Sequence, residues 1–117
     1  MLDFSPSELF QEFVEDTPAV DRKAWVQLQR EIDRLKREER PEGRFQYVIK
    51  GEGVPDLVFD FYLSKGLKKV FGLAGHLKRK GEPSDDVKEV VEKAIKFIQI
   101  AEQNKNLRSD YDAGGKS

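Results

Sequence analysis

Apolar residues recur at three- and four-residue spacing through the first third of the chain, at alternate positions through the middle, and at helical spacing again near the end. The run Ser5-Pro6-Ser7-Glu8 reads as a capping box: an N-cap serine, proline at the first helical position, and glutamate three residues after the cap. Leu9, Phe10, Phe13 and Val14 follow at helical spacing. Thr17-Pro18 repeats the start signal, and Val20, Ala24, Trp25, Leu28, Ile32 and Leu35 then share one face. That spacing predicts a helix over about 18–38, with Trp25 as a core anchor. "RLKREER" reads as its solvated end, rich in close Glu–Arg and Glu–Lys spacings.

Pro41 and Gly43 break the helix. "RFQYVIKG", "DLVFDFYLSKG" and "KKVFGLAGHL" are rich in β-branched and aromatic residues and bounded by glycine or proline, so each predicts a strand. Ser84 caps a last helix whose first turn carries Asp85 and Asp86, where the helix dipole favours negative charge. Its expected buried face is Val87, Val90, Val91, Ala94, Ile95, Ile98 and Ala101. From about Asn104 the periodicity fades, which predicts one domain over 1–103 and a flexible tail over 104–117. The order is a short strand, two helices, three strands and a helix. It implies an α+β fold: a small antiparallel sheet with two N-terminal helices and a C-terminal helix packed on one face.

Alternation sends Leu57, Phe59, Phe61 and Leu63 to one face and Asp56, Val58, Asp60 and Tyr62 to the other. In the next strand Phe71, Leu73 and Leu77 oppose Lys68, Val70, Gly72, Ala74, His76 and Lys78. Both apolar sets share a face only if residues of equal parity pair, which predicts an odd-length turn around Ser64 to Leu67 and argues against a two-residue Lys65-Gly66 turn. The face away from the helices then has a shallow floor of Gly72 and Ala74 rimmed by His76, Lys78, Tyr62 and Asp60, with Asp56 beside His76.

Charge and composition narrow the function classes. Twenty-one Lys and Arg balance 22 Asp and Glu, so overall charge gives no case for nucleic-acid binding. Between Phe61 and Gly81, however, Lys65, Lys68, Lys69, Lys78, Arg79 and Lys80 are accompanied by no acidic residue. That excess fits an anionic partner, and it equally fits lysines that protect a sheet edge from aggregation. The absence of cysteine excludes disulfides and thiolate metal sites and suits a reducing compartment. The first ten residues lack a basic n-region and an apolar core, and no run reaches the ~18 apolar residues of a membrane span. The expectation is a cytoplasmic protein without membrane contact. No histidine–carboxylate ligand cluster or glycine-rich phosphate loop is present, so no cofactor is expected.

"DFSP" at the start, the helix pair, the three-stranded run and the basic segment "HLKRKGEPSDD" before the last helix resemble the RelE/HigB superfamily of toxin–antitoxin ribonucleases. The phage-derived HigB-like branch is the most similar, and the resemblance spans roughly residues 3–100. It implies a RelE-like fold, cleavage of messenger RNA (often on the ribosome) and a cognate antitoxin protein. It also implies metal-free chemistry, in which the ribose 2′-hydroxyl attacks the adjacent phosphorus and the 5′-oxygen leaves.

Such a step needs a proton acceptor, a proton donor and cations around the phosphate. His76, the one side chain type that ordinarily titrates near neutrality, is the candidate acid–base group. Arg79 is the candidate phosphate clamp, Lys78 and Lys80 the adjacent point charges, Lys68 and Lys69 the strand-holding cations, and Tyr62 a platform for a base. Asp56 stands where family members carry an arginine. It either orients the imidazole or repels the phosphate, so two readings stay open: an endoribonuclease toxin, or a catalytically inactive RelE-fold protein that acts through protein contacts or weak nucleic-acid binding.

Overall fold

The computed structural model describes residues 1–37, 39–52, 55–78 and 85–115, with side chains through Lys105. β1 (Asp3–Pro6) leads into α1 (Glu8–Asp16) and α2 (Arg22–Lys36). Three strands follow, β2 (Gly43–Ile49), β3 (Leu57–Ser64) and β4 (Lys69–Leu77), and then α3 (Asp85–Gly115). The four strands lie in the order β1-β4-β3-β2. The α+β class and the element order are as the sequence implied. The sheet is mixed, because β1 pairs with β4 in parallel while the other two pairings are antiparallel.

The capping serine is Ser7, not Ser5. Its Oγ accepts from the Phe10 amide at 3.2 Å and donates to the Leu73 carbonyl at 2.6 Å, so one hydroxyl starts the helix and ties it to β4. Ser5 and Pro6 belong to the sheet, opposite Phe71 and Gly72. Proline is tolerated there because β1 is an edge strand. α2 starts at Arg22 rather than at 18, capped by Asp21, whose carboxylate accepts from the Ala24 amide at 2.8 Å. Ala24, Leu28, Glu31, Ile32 and Leu35 form its buried face. Trp25 is 42% exposed and is not the expected core anchor. Buried Glu31 is held by Arg40 at 3.1 Å, and the Arg40 guanidinium also lies 5.1 Å from the Phe45 ring centre.

The β3–β4 pairing carries the main departure from expectation. From Leu57↔Leu77 to Asp60↔Ala74 residues of equal parity pair, as predicted. A β-bulge then leaves Leu73 without a partner, and from Phe61↔Gly72 to Ser64↔Lys69 opposite parities pair. The connecting turn, Lys65 to Lys68, is therefore even in length. The inserted residue sends Val70, not Phe71, to the side of α1 and α2. There it joins Leu57, Phe59, Phe61 and Leu63 in a core with Phe4, Phe10, Phe13, Leu28 and Ile32. α1 packs closely on β4. A Cβ added at Gly72 would lie 2.9 Å from the Phe10 ring, and one at Gly75 would overlap the Phe13 ring.

Phe71, Leu73, Ala74 and Tyr62 face the other way and pack against Val87, Val91, Ala94, Ile95 and Ile98 of α3. The C-terminal helix therefore sits on the opposite face of the sheet from α1 and α2. Val90, expected in the buried face of α3, is 50% exposed. α3 continues to Gly115, past Asn104, where the sequence pattern fades. No helix among the described residues is long and apolar enough to cross a membrane.

Candidate nucleic-acid interface

Strand register decides which of the expected site residues meet. His76 lies opposite Val58, on the face turned away from α1 and α2. It is half-buried, and no hydrogen bond or ion pair with another described residue fixes its ring. Asp56 is not its direct partner. The Asp56 carbonyl accepts the Lys78 amide at 3.0 Å, which places Asp56 opposite Lys78, one pair beyond His76. The Asp56 carboxylate turns instead into the β2–β3 connection, accepting from the Gly51 amide at 2.9 Å and pairing with Lys50 Nζ at 3.2 Å. The amide bond from Gly51, and then Lys50, hold its carboxyl below the ordinary range. The Asp56 carboxylate thus closes the β2–β3 loop and makes no hydrogen bond to His76.

Other expected members scatter. Lys69 begins β4 and His76 nearly ends it, so seven residues of extended chain put them about 23 Å apart. Lys68 sits in the turn with φ +57°, its amide donating to the Lys65 carbonyl and its carbonyl accepting from the Asp3 amide. Neither lysine can join His76 around one phosphate. Tyr62 is no free platform. It packs under α3 and its hydroxyl donates to Glu102 at 3.4 Å; burial raises its pKa. The shallow floor is absent as well, since Gly72 lies under Phe10 and Ala74 is buried beneath α3. Arg79, Lys80 and Ser84 lie outside the described residues.

Three residues not anticipated for the site share the His76 face. Arg44 is opposite Tyr62, Gln46 opposite Asp60, and Val48 opposite Val58. Asp60 is only 2% exposed. Its Oδ1 accepts from Gln46 Nε2 at 3.1 Å, and Arg44 Nη2 approaches the same oxygen at 3.5 Å. A buried carboxylate thus steadies a guanidinium that is itself 45% exposed. Arg44 and His76 stand two strands and four residues apart, about 16 Å between Cα atoms from sheet spacings. That separation is too large for both side chains to meet one phosphate. The signal for Arg44 and Gln46 was the alternation in "RFQYVIK", which puts Phe45, Tyr47 and Ile49 inward and their neighbours outward.

A separate cleft of about 550 Å³ opens between the start of α2 and the β2–β3 connection, lined in part by Ala24, Ile49 and Leu57. Its charged rim mixes signs (Asp21, Lys23, Lys50, Glu52) and includes no histidine, so it selects neither an anion nor acid–base chemistry. No group of three or more His, Cys, Asp or Glu among the described residues is arranged to hold a metal ion. The chain matches no protein-family model and no curated protein sequence.

Proposed function

We propose that the chain is a RelE/HigB-like toxin, a metal-free endoribonuclease that binds messenger RNA along the β2–β3–β4 face and is silenced by a cognate antitoxin protein. The observation that carries this reading is the sharing of one sheet face by His76 and the Asp60-anchored Arg44, with Lys78 at the strand exit. Arg79 and Lys80 follow directly in the sequence. Further support comes from the element order, which is the one the resemblance implied. On this reading Arg44 and the exit cations hold separate phosphates along one RNA strand, and His76 takes the 2′ proton as the 2′-oxygen bonds to phosphorus and the 5′-oxygen departs, taking a proton from water. Pairing of the Asp56 carboxylate with Lys50 and the Gly51 amide lessens its competition with the phosphate.

The imidazole, without a bond to another described residue, favours a second reading. A ring that no described neighbour orients suits an RNA- or protein-binding surface without catalysis. Controlled expression of the wild type beside His76→Ala, Arg44→Ala and Arg79→Ala separates the two, with cleavage of cellular messages as the readout. Catalysis predicts growth arrest by the wild type and a fall of about 10²–10⁴-fold in cleavage for His76→Ala. Soluble wild-type protein that binds RNA but leaves messages intact, with or without ribosomes, would establish the binding reading instead.

A further inference from the structure

The two edges of the sheet are built differently. β1 is four residues long and ends at Pro6, which has no amide hydrogen to offer a further strand. β2, at the other edge, runs for seven residues without proline or bulge, and its pairing with β3 holds one register from Gly43↔Leu63 to Ile49↔Leu57. Among the described residues its backbone bonds only to β3, so the outward N–H and C=O groups of alternate residues have no partner within the chain. Another extended strand is the chemistry that completes such a row.

The side chains along this edge fit a second copy of β2. Two antiparallel copies about a two-fold axis at Gln46 place Glu42 opposite Lys50 of the partner subunit, and the symmetry makes that pair twice. An edge that deters its own copy sets like charges opposite each other; here unlike charges meet. Both side chains remain available. Glu42 accepts from the Lys65 amide through Oε1 alone, and the Lys50 side chain is 77% exposed beside Asp56. The neighbouring registers are worse. An axis at Phe45 sets Lys50 against Arg40 of the partner subunit, and one at Tyr47 sets Arg44 against Lys50 of the partner subunit. In the Gln46 register half-buried Phe45 meets Tyr47 of the partner subunit on the α2 side, a cross-strand aromatic pair. On the other side Val48, 38% exposed, meets the aliphatic stem of Arg44 of the partner subunit.

We infer that two copies of this chain join edge to edge through β2, antiparallel about Gln46, so that their two sheets become one. Residues of equal parity pair across the axis, which keeps α1 and α2 of both copies on the same side of the joined sheet. The backbone ladder holds the strands together, and the flanking Glu42–Lys50 pairs select the register. The inference does not require the ribonuclease reading, because it uses neither His76 nor the strand exit.

The test is sedimentation equilibrium of the full, untagged chain beside Glu42→Lys and Lys50→Glu. The wild type is expected at twice the chain mass in the micromolar range. Each variant alone puts two like-charge pairs into its homodimer and should dimerise about 10-fold or more weakly. An equimolar mixture of the two variants should recover the wild-type constant, since every flanking pair in the mixed dimer is again Lys against Glu. A variant that merely loses its contact with the Lys65 amide or Asp56 would melt earlier, and mixing would not restore it. The absence of cysteine also allows clean cross-linking. On air oxidation Gln46→Cys should form a disulfide with its own copy, because directly opposed residues lie within disulfide range. Val48→Cys, about 14 Å from its own copy in this register, should not. A wild type that stays monomeric through the micromolar range, a dimer indifferent to both reversals, a mixture no tighter than its parts, or equal cross-linking of the two cysteine variants would each overturn the inference.

Discussion

On the side of α1 and α2, β3 presents Phe59, Phe61 and Leu63, all fully buried among the rings of Phe4, Phe10, Phe13 and Phe45. On the other side the same strand presents Asp60, Tyr62 and Ser64, covered in part by α3 and in part by the side chains of β2. The first face is a continuous aromatic core whose geometry is set by packing. Edge-to-face contacts such as Phe13 on Phe59, at 5.6 Å and 80°, and the stacked Phe45–Phe61 pair at 5.5 Å leave little room for change. The second face is a composite, apolar under α3 and polar beyond it. The bulge at Leu73 permits the combination. It lets Val70 serve the first face and Phe71 the second, and Ser7 Oγ hydrogen-bonds to the Leu73 carbonyl at the irregularity.

If the two faces differ in this way, the largest loss should come from the aromatic side. Phe59→Ala is expected to destabilise the fold by about 3–5 kcal/mol, since the ring is fully buried and packs against the Phe10 and Phe13 rings of α1. The midpoint of urea unfolding at unchanged slope reads this directly. A loss under about 1 kcal/mol would mean that the cavity collapses, and that the aromatic face is far more plastic than its packing implies.

The composite face should respond less, and through hydrogen bonds rather than volume. Asp60→Ala removes the shared acceptor of Gln46 and Arg44 and is expected to cost about 1–3 kcal/mol. Asp60→Asn should cost less, because its carbonyl oxygen still accepts from Gln46. A double-mutant cycle with Gln46→Ala measures the coupling. Additive losses would show that Asp60 is buried for some reason other than its partners. The same substitutions should free the Arg44 side chain. In the proposed RNA complex Asp60→Ala is therefore expected to weaken binding while His76→Ala leaves it nearly unchanged.

These contrasts also explain what could be read from the sequence. Element order and the apolar face of β3 were legible because every odd position from Leu57 to Leu63 is large and apolar, so only one register buries them. β4 was legible only near its exit. In "KKVFGLAGHL" both parities carry apolar residues at the centre, so alternation alone does not reveal an inserted residue. Which serine caps α1 was hidden because Ser5 and Ser7 are equally good caps locally; the distant Leu73 carbonyl and the pairing of β1 with β4 decide. Trp25 and Val90 sit at the margins of their apolar stripes, where a turn of a few tens of degrees separates core from solvent. For the site, parity correctly put His76 on the face away from the aromatic core. The partner of Asp56 was not legible, since it depends on how the β2–β3 connection folds back.

That loop supplies the smallest and most local contrast. The Asp56 carboxyl is held below its ordinary pKa by the Gly51 amide and then by Lys50. A depressed folded-state pKa means that ionised Asp56 favours the folded chain above the unfolded-state value of about 3.9, and that this contribution disappears as pH falls through the lower folded-state value. Melting temperatures of the wild type and Asp56→Asn should therefore differ by a small, constant amount between neutral and mildly acidic pH. The two curves should converge below the ordinary carboxylate range. Because the carboxylate turns toward Lys50 rather than His76, Asp56→Asn should also leave the pH profile of any RNA cleavage unmoved. A shifted profile with unchanged melting curves would return Asp56 to the His76 face and count against the loop-closing role.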